Sequence, residues 1–320
     1  MSRALRFLAL LCGIGLVAWL VSRADIAALL GIFRRIGWGF AAILALRGAA
    51  VCSDTAAWAC LLPPQQRPPF TALLPLRWVG ESINTTLPAA QIGGEVVRAR
   101  LLQQRVCGSA YSAGTVAIDF CLSLLVQIIF TSIGFLLLVR LSAAASLWPT
   151  LVCTLLIPLF AVASWELLVR QRLLAAATGW AKRLGQHRVT GALRSVGEAL
   201  RLVAASRQRL ALSLAWHSVS WLVHIGELWL TLWLMGAAIG VAEAAMLESL
   251  SLAARSAAFL IPSGWGAQEA ALIGLAGLTG LAPETALALG LVKRAREFAV
   301  GLPGLVAWAL LERRRPGPSA

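Results

Sequence analysis

The sequence predicts an all-α polytopic integral membrane protein, with about six full spans and two broken or re-entrant helical hairpins arranged as an inverted repeat. Three observations predict it. Hydrophobic residues make up 59% of the chain and charged residues 13%, with a mean hydropathy of +0.80. Several apolar runs reach the roughly 20 residues that a helix needs to cross about 30 Å of hydrocarbon. Two polar interruptions carry Pro and Gly beside a Glu, and such broken backbone is tolerated at membrane depth only inside protein or along a cavity.

The net charge of +14 does not point to nucleic acid, because the basic residues cluster between apolar runs. The positive-inside rule and anionic lipid headgroups explain that placement better. Six cysteines (Cys12, Cys52, Cys60, Cys107, Cys121, Cys153) form no Cys-x-x-Cys pair, and all but Cys107 sit in apolar runs. They read as small core residues rather than a disulfide frame or zinc site. Neither a Gly-x-Ser-x-Gly elbow, nor a phosphate loop, nor a metalloprotease motif is present, so no enzyme activity and no cofactor is expected.

Arg3 and Arg6 precede an apolar run, Phe7 to Ser22. With no small-x-small cleavage site after it and Arg23 next, a first membrane helix fits better than a secretory signal. A basic loop over 23–35 follows. Gly37 to Leu62 is a second span holding Arg47 and Asp54, two helical turns apart on one side. Beyond the Pro63–Pro69 loop, Thr71 to Gln91 carries Glu81 and breaks at Pro88, and Gly93 to Arg105 is polar. Ser112 to Val139 spans, with Asp119 inside, and so does Leu147 to Val169. In the basic 170–209 segment Leu193, Val196, Leu200 and Val203 repeat at helical spacing. That suits an amphipathic helix on the cytoplasmic membrane face or a solvated linker helix. Leu210 to Gly236 and Thr285 to Leu311 are the remaining spans; between them Met246 to Ile261 and Ala270 to Leu281 flank a second break. The tryptophans fall mostly near span ends, as interfacial anchors do.

Placing the 170–209 segment and Arg313–Arg315 in the cytoplasm sets the topology. The two broken hairpins then enter and leave from opposite sides, Thr71–Arg105 from the cytoplasm and Met246–Leu281 from outside. The same scheme puts the basic 23–35 loop outside, against the rule. One offset carries Pro88–Gly93–Gly94–Glu95 onto Pro262–Gly264–Gly266–Glu269, and it also aligns the spans on either side. The chain is thus one membrane domain, 1–320, with repeat halves 37–140 and 210–312 joined through the 170–209 linker. Inverted repeats of this kind place a substrate site near the midplane, between broken helices.

Lys293-Arg294-Ala295-Arg296-Glu297 lies within the last span, because starting that span at Phe298 would leave about 14 residues, or about 21 Å. Glu297 can pair with Lys293 and Arg294 along the helix. Arg296 then needs Glu269, Glu95, Asp119, Asp54 or an anionic lipid headgroup. Intramembrane ionisable residues are functional candidates by default, the structural alternative being an ion-pair network that only locks helices together. Backbone amides at the glycine-rich breaks, with Arg98, Arg255 and Arg296, suit a phosphate or carboxylate. Glu95 and Glu269 suit ammonium or hydroxyl groups, so a zwitterionic or polyol lipid headgroup fits both. The expected substrate-binding set is Arg47, Asp54, Glu81, Pro88, Gly93, Gly94, Glu95, Arg98, Asp119, Arg255, Pro262, Gly264, Gly266, Gln268, Glu269, Lys293, Arg294, Arg296 and Glu297. His217, His224 and Glu227 share a helical face, but no further ligand is nameable, so no metal is expected.

At Leu87-Pro88 through Gly93-Gly94-Glu95-Val96-Val97-Arg98-Ala99-Arg100, at Pro262–Glu269, and at Leu291–Glu297 through Gly301-Leu302-Pro303-Gly304, the chain resembles a known family. It is similar to the flippase-like transmembrane domain of lysylphosphatidylglycerol synthases, most closely the stand-alone members associated with hopanoid biosynthesis. The resemblance covers most of the chain. It implies a bacterial inner-membrane protein that moves a lipid, a hopanoid or its precursor among the candidates, between leaflets. Hopanoid-biosynthesis enzymes are the implied partners. Without the soluble aminoacyl-transferring domain, synthesis of lysyl-lipid is not expected. Trp265 departs from the pattern, which favours a smaller residue between those glycines. Two other readings follow from the same residues: an intramembrane enzyme acting on a polyprenyl-type lipid through Asp54, Glu81 or Asp119, and a non-transporting scaffold for hopanoid enzymes.

Overall fold

The computed structural model describes residues 26–86, 93–105, 109–141, 197, 206–258 and 266–313. Among them every regular element is helical: α1 (Ile26–Ile36), α2 (Gly39–Leu61), α3 (Phe70–Thr86), α4 (Gly93–Arg105), α5 (Ser109–Leu141), α6 (Arg207–Leu234), α7 (Val241–Ala257), α8 (Ala267–Ala276) and α9 (Pro283–Arg313). Short 3-10 turns at Pro64–Gln66 and Gly277–Thr279 complete the set. The expected first span, the 147–169 span, nearly all of the 170–209 linker and the Pro88 and Pro262–Trp265 breaks lie outside the described residues.

Helices α2, α5, α6 and α9 cover the four stretches expected to span, each end displaced by only a few residues. Gly39–Leu61 and Ser112–Leu141 are long and apolar enough to cross a membrane. Large apolar side chains such as Leu222, Trp233, Leu136, Leu302 and Val306 face outward from α5, α6 and α9. That is the pattern of helices whose solvent is hydrocarbon, where outward apolar groups carry no penalty. The Pro63–Pro69 loop is confirmed, apart from its one 3-10 turn.

The basic loop expected over 23–35 is corrected: from Ile26 onward it is helix. Ile26, Leu29, Leu30, Phe33 and Ile36 recur at helical spacing, and that stripe outweighs the two arginines at the helix end. Helix α1 packs on α9, and the chain leaves it through Gly37, at a φ of +43°.

By internal contact the chain divides into two compact units, neither contiguous in sequence. The first takes Met1–Gly48, Arg77–Gly94 and His224–Ala320; the second takes Ala49–Leu76 and Glu95–Val223. In the first unit α7 packs on α8 and α8 on α9, around Met246, Leu247, Leu272 and the buried run Ala286–Leu289. Small residues bring α9 close to α3. A Cβ on Gly301 would lie 2.5 Å from Thr86 Cγ2, and one on Gly304 would lie 1.9 Å from Ser82 Oγ. The same contact is tied by Trp78, whose indole N–H donates to the Val300 carbonyl at 2.9 Å, one turn before Pro303. Gly94 approaches the Gly80 carbonyl so closely that a Cβ would sit 1.9 Å from the oxygen; its amide donates to Asn84 Oδ1 at 2.8 Å. In the second unit Leu61, Ile118 and Leu122 form a fully buried cluster, against which Leu210 and Leu214 pack.

Candidate functional site

Among the described residues, the buried charged side chains gather mainly into two ionic centres, one in each unit. In the first unit, α9 presents Lys293, Arg294, Arg296 and Glu297, all buried. Lys293 pairs with Glu248 of α7. Arg294 donates to Glu269 at 2.6 Å and to Glu297, one turn on, at 2.9 Å. Arg255 of α7 pairs with Glu297 and lies 3.5 Å from Gln268 Oε1. Arg296 pairs with Glu227 of α6.

Helix starts position these groups. Gly266 precedes α8 at a φ of +81°, a region that favours glycine. Its amide donates to Glu269 Oε2 at 2.9 Å, so this carboxylate caps its own helix while pairing with Arg294. Gly290 lets the two helices close, since a Cβ there would lie 2.9 Å from Glu269 Cγ. Each carboxylate thus meets a cation within hydrogen-bond reach, which is what buried charge requires.

Beside this network α2 and α3 add a second element. Arg47 donates to Glu81 at 2.9 Å and to His224 Nε2 at 2.7 Å. Arg77 stands 4.0 Å from the same Glu81. Arg47, Glu81, Ser82, Thr85, Glu297, Val300 and Gly301 line a small pocket with room for about one water molecule. A cation, two carboxylates and two hydroxyl oxygens thus converge on one space, against the small-residue face of α9.

The second unit holds the other centre. Arg98 of α4 donates to Asp119 of α5 at 2.8 Å and reaches Glu95 one turn back. Its guanidinium carbon stands 4.7 Å over the ring of buried Trp58, a favourable cation–π placement away from water. His217 of α6 bridges two acids: Nδ1 is 3.0 Å from Asp54 and Nε2 is 3.1 Å from Asp119. Asp119 and His217 are no more than 1% exposed. Among the described residues, Nε and Nη1 of Arg98 have no hydrogen-bond partner.

Of the expected set, Pro88, Pro262 and Gly264 lie outside the described residues, and Gly93 opens α4 without joining either centre. Of the seven residues expected to line one cavity, Glu269, Lys293, Arg296 and Glu297 pair within the first unit, and Glu95, Arg98 and Asp119 pair within the second. Arg47 and Asp54 likewise go to different partners. Lys293 turns to Glu248 rather than along the helix to Glu297, and Arg296 to Glu227 rather than to any expected acid. Glu227, Glu248, His217, His224 and Trp58 are the participants that the sequence set lacks. Glu227 and His217 were visible as ionisable residues inside a span; Glu248 stands in α7 with no motif around it. Among the described residues no cluster of His, Cys, Asp and Glu gathers as a metal site, and Cys52, Cys60 and Cys121 are free thiols.

No curated protein matches the chain, and no solved structure matches it either. Residues 6–304 match the family described as the lysylphosphatidylglycerol synthase TM region. With that match across most of its length, on an all-helical fold with outward apolar faces, the chain is a membrane protein belonging to the lysylphosphatidylglycerol synthase transmembrane-region family.

Proposed function

We propose that this protein moves a lipid between the leaflets of a bacterial inner membrane, in the manner of a flippase, with its C-terminus in the cytoplasm. The cargo is a hopanoid, a hopanoid precursor or another lipid whose headgroup mixes charges or hydroxyls. Transport rather than chemistry is its task, and hopanoid-synthesising enzymes are its partners. About six spans and two hairpins in inverted repeat, halves 37–140 and 210–312, supply the frame that secondary transporters use. The basic 170–209 segment holds anionic headgroups at the cytoplasmic surface.

The observation that carries this reading is the pocket of Arg47, Glu81, Ser82, Thr85, Glu297 and Gly301. Arg47 offers a planar donor fork to a phosphate or carboxylate, while Glu81 and Glu297 accept from ammonium or hydroxyl groups. A headgroup of both signs matches the chemistry of these walls, and its entry into a space that now holds about one water requires Arg47 to exchange Glu81 and His224 for the headgroup. Membership in a family of lipid-related membrane regions supports a lipid as the cargo.

The test uses proteoliposomes and leaflet accessibility of fluorescent phosphatidylglycerol, phosphatidylethanolamine and a polyhydroxylated hopanoid. The wild-type protein moves at least one of them, and Arg47→Gln slows that movement by about tenfold, the loss of an interaction of about 1.4 kcal/mol in the transition state. Movement of none of the three overturns the function; full-speed movement by both Arg47→Gln and Glu81→Gln overturns the site.

A further inference from the structure

Arg296 and Glu227 meet through one atom each, Arg296 Nη1 donating to Glu227 Oε1. Among the described residues, neither Arg296 Nε nor Glu227 Oε2 has a hydrogen-bond partner, although the two residues are only 7% and 2% exposed. A buried donor or acceptor left unmade costs stability, and native proteins leave few of them. The pair adjoins the lipid pocket. Glu227 stands one turn after His224, whose Nε2 accepts from Arg47, and Arg296 precedes Glu297 in α9; Arg47 and Glu297 both line the pocket. Arg296 Nη2 also lies 3.8 Å from Glu297 Oε1. Lys293, His224 and Arg47 act on the Glu227 charge as well. All of these residues belong to the first unit.

What the pair lacks defines what fits it. The Nε–H needs an acceptor and Oε2 needs a donor, while the two charges already answer each other. A phosphate would approach Arg296 against the charge of Glu227, and an ammonium would approach Glu227 against that of Arg296. A hydroxyl donates, accepts and brings no charge, and neighbouring hydroxyls of a polyol serve the two atoms together. We propose that Glu227 and Arg296 form a hydroxyl-recognising subsite that extends the lipid pocket. Arg47 takes the anionic part of the headgroup, and the pair selects for a polyol beyond it. That the polyol belongs to a cargo lipid rests on the transport reading given above. A headgroup that draws Arg47 from His224 also clears the side of α6 one turn from Glu227. A resident water offers the same donor and acceptor, so the test separates these two sources.

The test is equilibrium binding to the full-length protein in amine-oxide micelles, which carry no hydroxyls of their own. Two short-chain lipids of equal charge are compared, phosphatidylglycerol and phosphatidylpropanol, which lacks only the headgroup hydroxyls. The wild type binds phosphatidylglycerol at least about tenfold more tightly, because a site built for a hydroxyl strands its own polar atoms when the hydroxyl is missing. Glu227→Leu combined with Arg296→Met removes both charges, so neither is stranded, and the preference disappears. Where that double variant fails to fold, Arg296→Lys, which keeps the counter-charge of Glu227 and lacks the Nε donor, narrows the preference. Equal wild-type binding of the two lipids overturns the subsite and leaves water as the partner of the pair. A preference that the folded variant keeps in full, or no binding of either lipid, overturns it too. Transport is judged separately. A protein that moves lipids without this discrimination keeps the transport reading and loses the subsite, whereas one that discriminates in binding and moves none of the three fluorescent lipids keeps the subsite and loses transport.

Discussion

The two ionic centres differ in which side chains meet their acids. In the first unit Glu227, Glu248, Glu269 and Glu297 face Lys293, Arg255, Arg294 and Arg296, one acid for each base. In the second unit one imidazole, His217, stands between two carboxylates, Asp54 and Asp119, and Arg98 pairs with Asp119 and Glu95. A balanced network gains nothing from taking up a proton, and removal of any member strands its partner in a low-dielectric interior. The first unit therefore closes its charges helix to helix with lysine and arginine, as a brace, whereas the second joins two acids of different helices through one imidazole.

The sharpest way to break this comparison is Arg294→Ala, which takes the cation from Glu269 and one of the cations from Glu297. Loss of about 3–5 kcal/mol is expected, read as a lowered midpoint of unfolding in mixed micelles; a loss under about 1 kcal/mol would mean that the brace does not hold the fold. Next comes a double-mutant cycle on Lys293→Met and Glu248→Leu. Either single change leaves a buried charge alone, whereas the double variant removes both, so a coupling of about 2 kcal/mol is expected, with the double variant more stable than at least one single. In the second unit, Asp54→Asn exchanges a charged acceptor for a neutral one while Asp119 still faces the other ring nitrogen of His217. It costs about 1.5 kcal/mol, the scale of one charge-assisted bond, and a cost equal to that of Arg294→Ala erases the distinction between the centres. The smallest effect belongs to Trp78→Phe, which removes a neutral bond to the Val300 carbonyl outside both centres; about 1 kcal/mol is expected in the same unfolding assay.

The long helices were legible because the signal for them is local. Length and hydropathy over Gly39–Leu61 or Pro283–Arg313 need no knowledge of neighbours, and Gly37 and Pro283 mark the nearby ends. The charged turn at Lys293–Glu297 was legible for the same reason, since no shorter span fits after it. The partners of those charges were not. Pairing Arg296 with Glu227 depends on how α6 and α9 are rotated about their axes, and helices apolar nearly all round carry little amphipathic pattern to fix that rotation. His217 illustrates the limit: its spacing to His224 and Glu227 drew attention to one face of α6, while the structure sends the three to different partners. Helix α1 was missed for a simpler reason, because two arginines at its end resembled a loop signal more strongly than a short apolar stripe resembled a helix.

Proline 303 gives α9 a mechanical property. It lacks an amide, so the Ala299 carbonyl loses the backbone bond that would tie it to the next turn. One longitudinal strut of the rod is absent there, and bending stiffness is lowest at that turn. Trp78 grips the adjacent Val300 carbonyl from α3, so the soft joint is pinned on one side. The rod therefore flexes beyond residue 303, and the stretch that bears Lys293 to Glu297 behaves as its rigid shaft. Tilting of the C-terminal turns leaves the brace undisturbed.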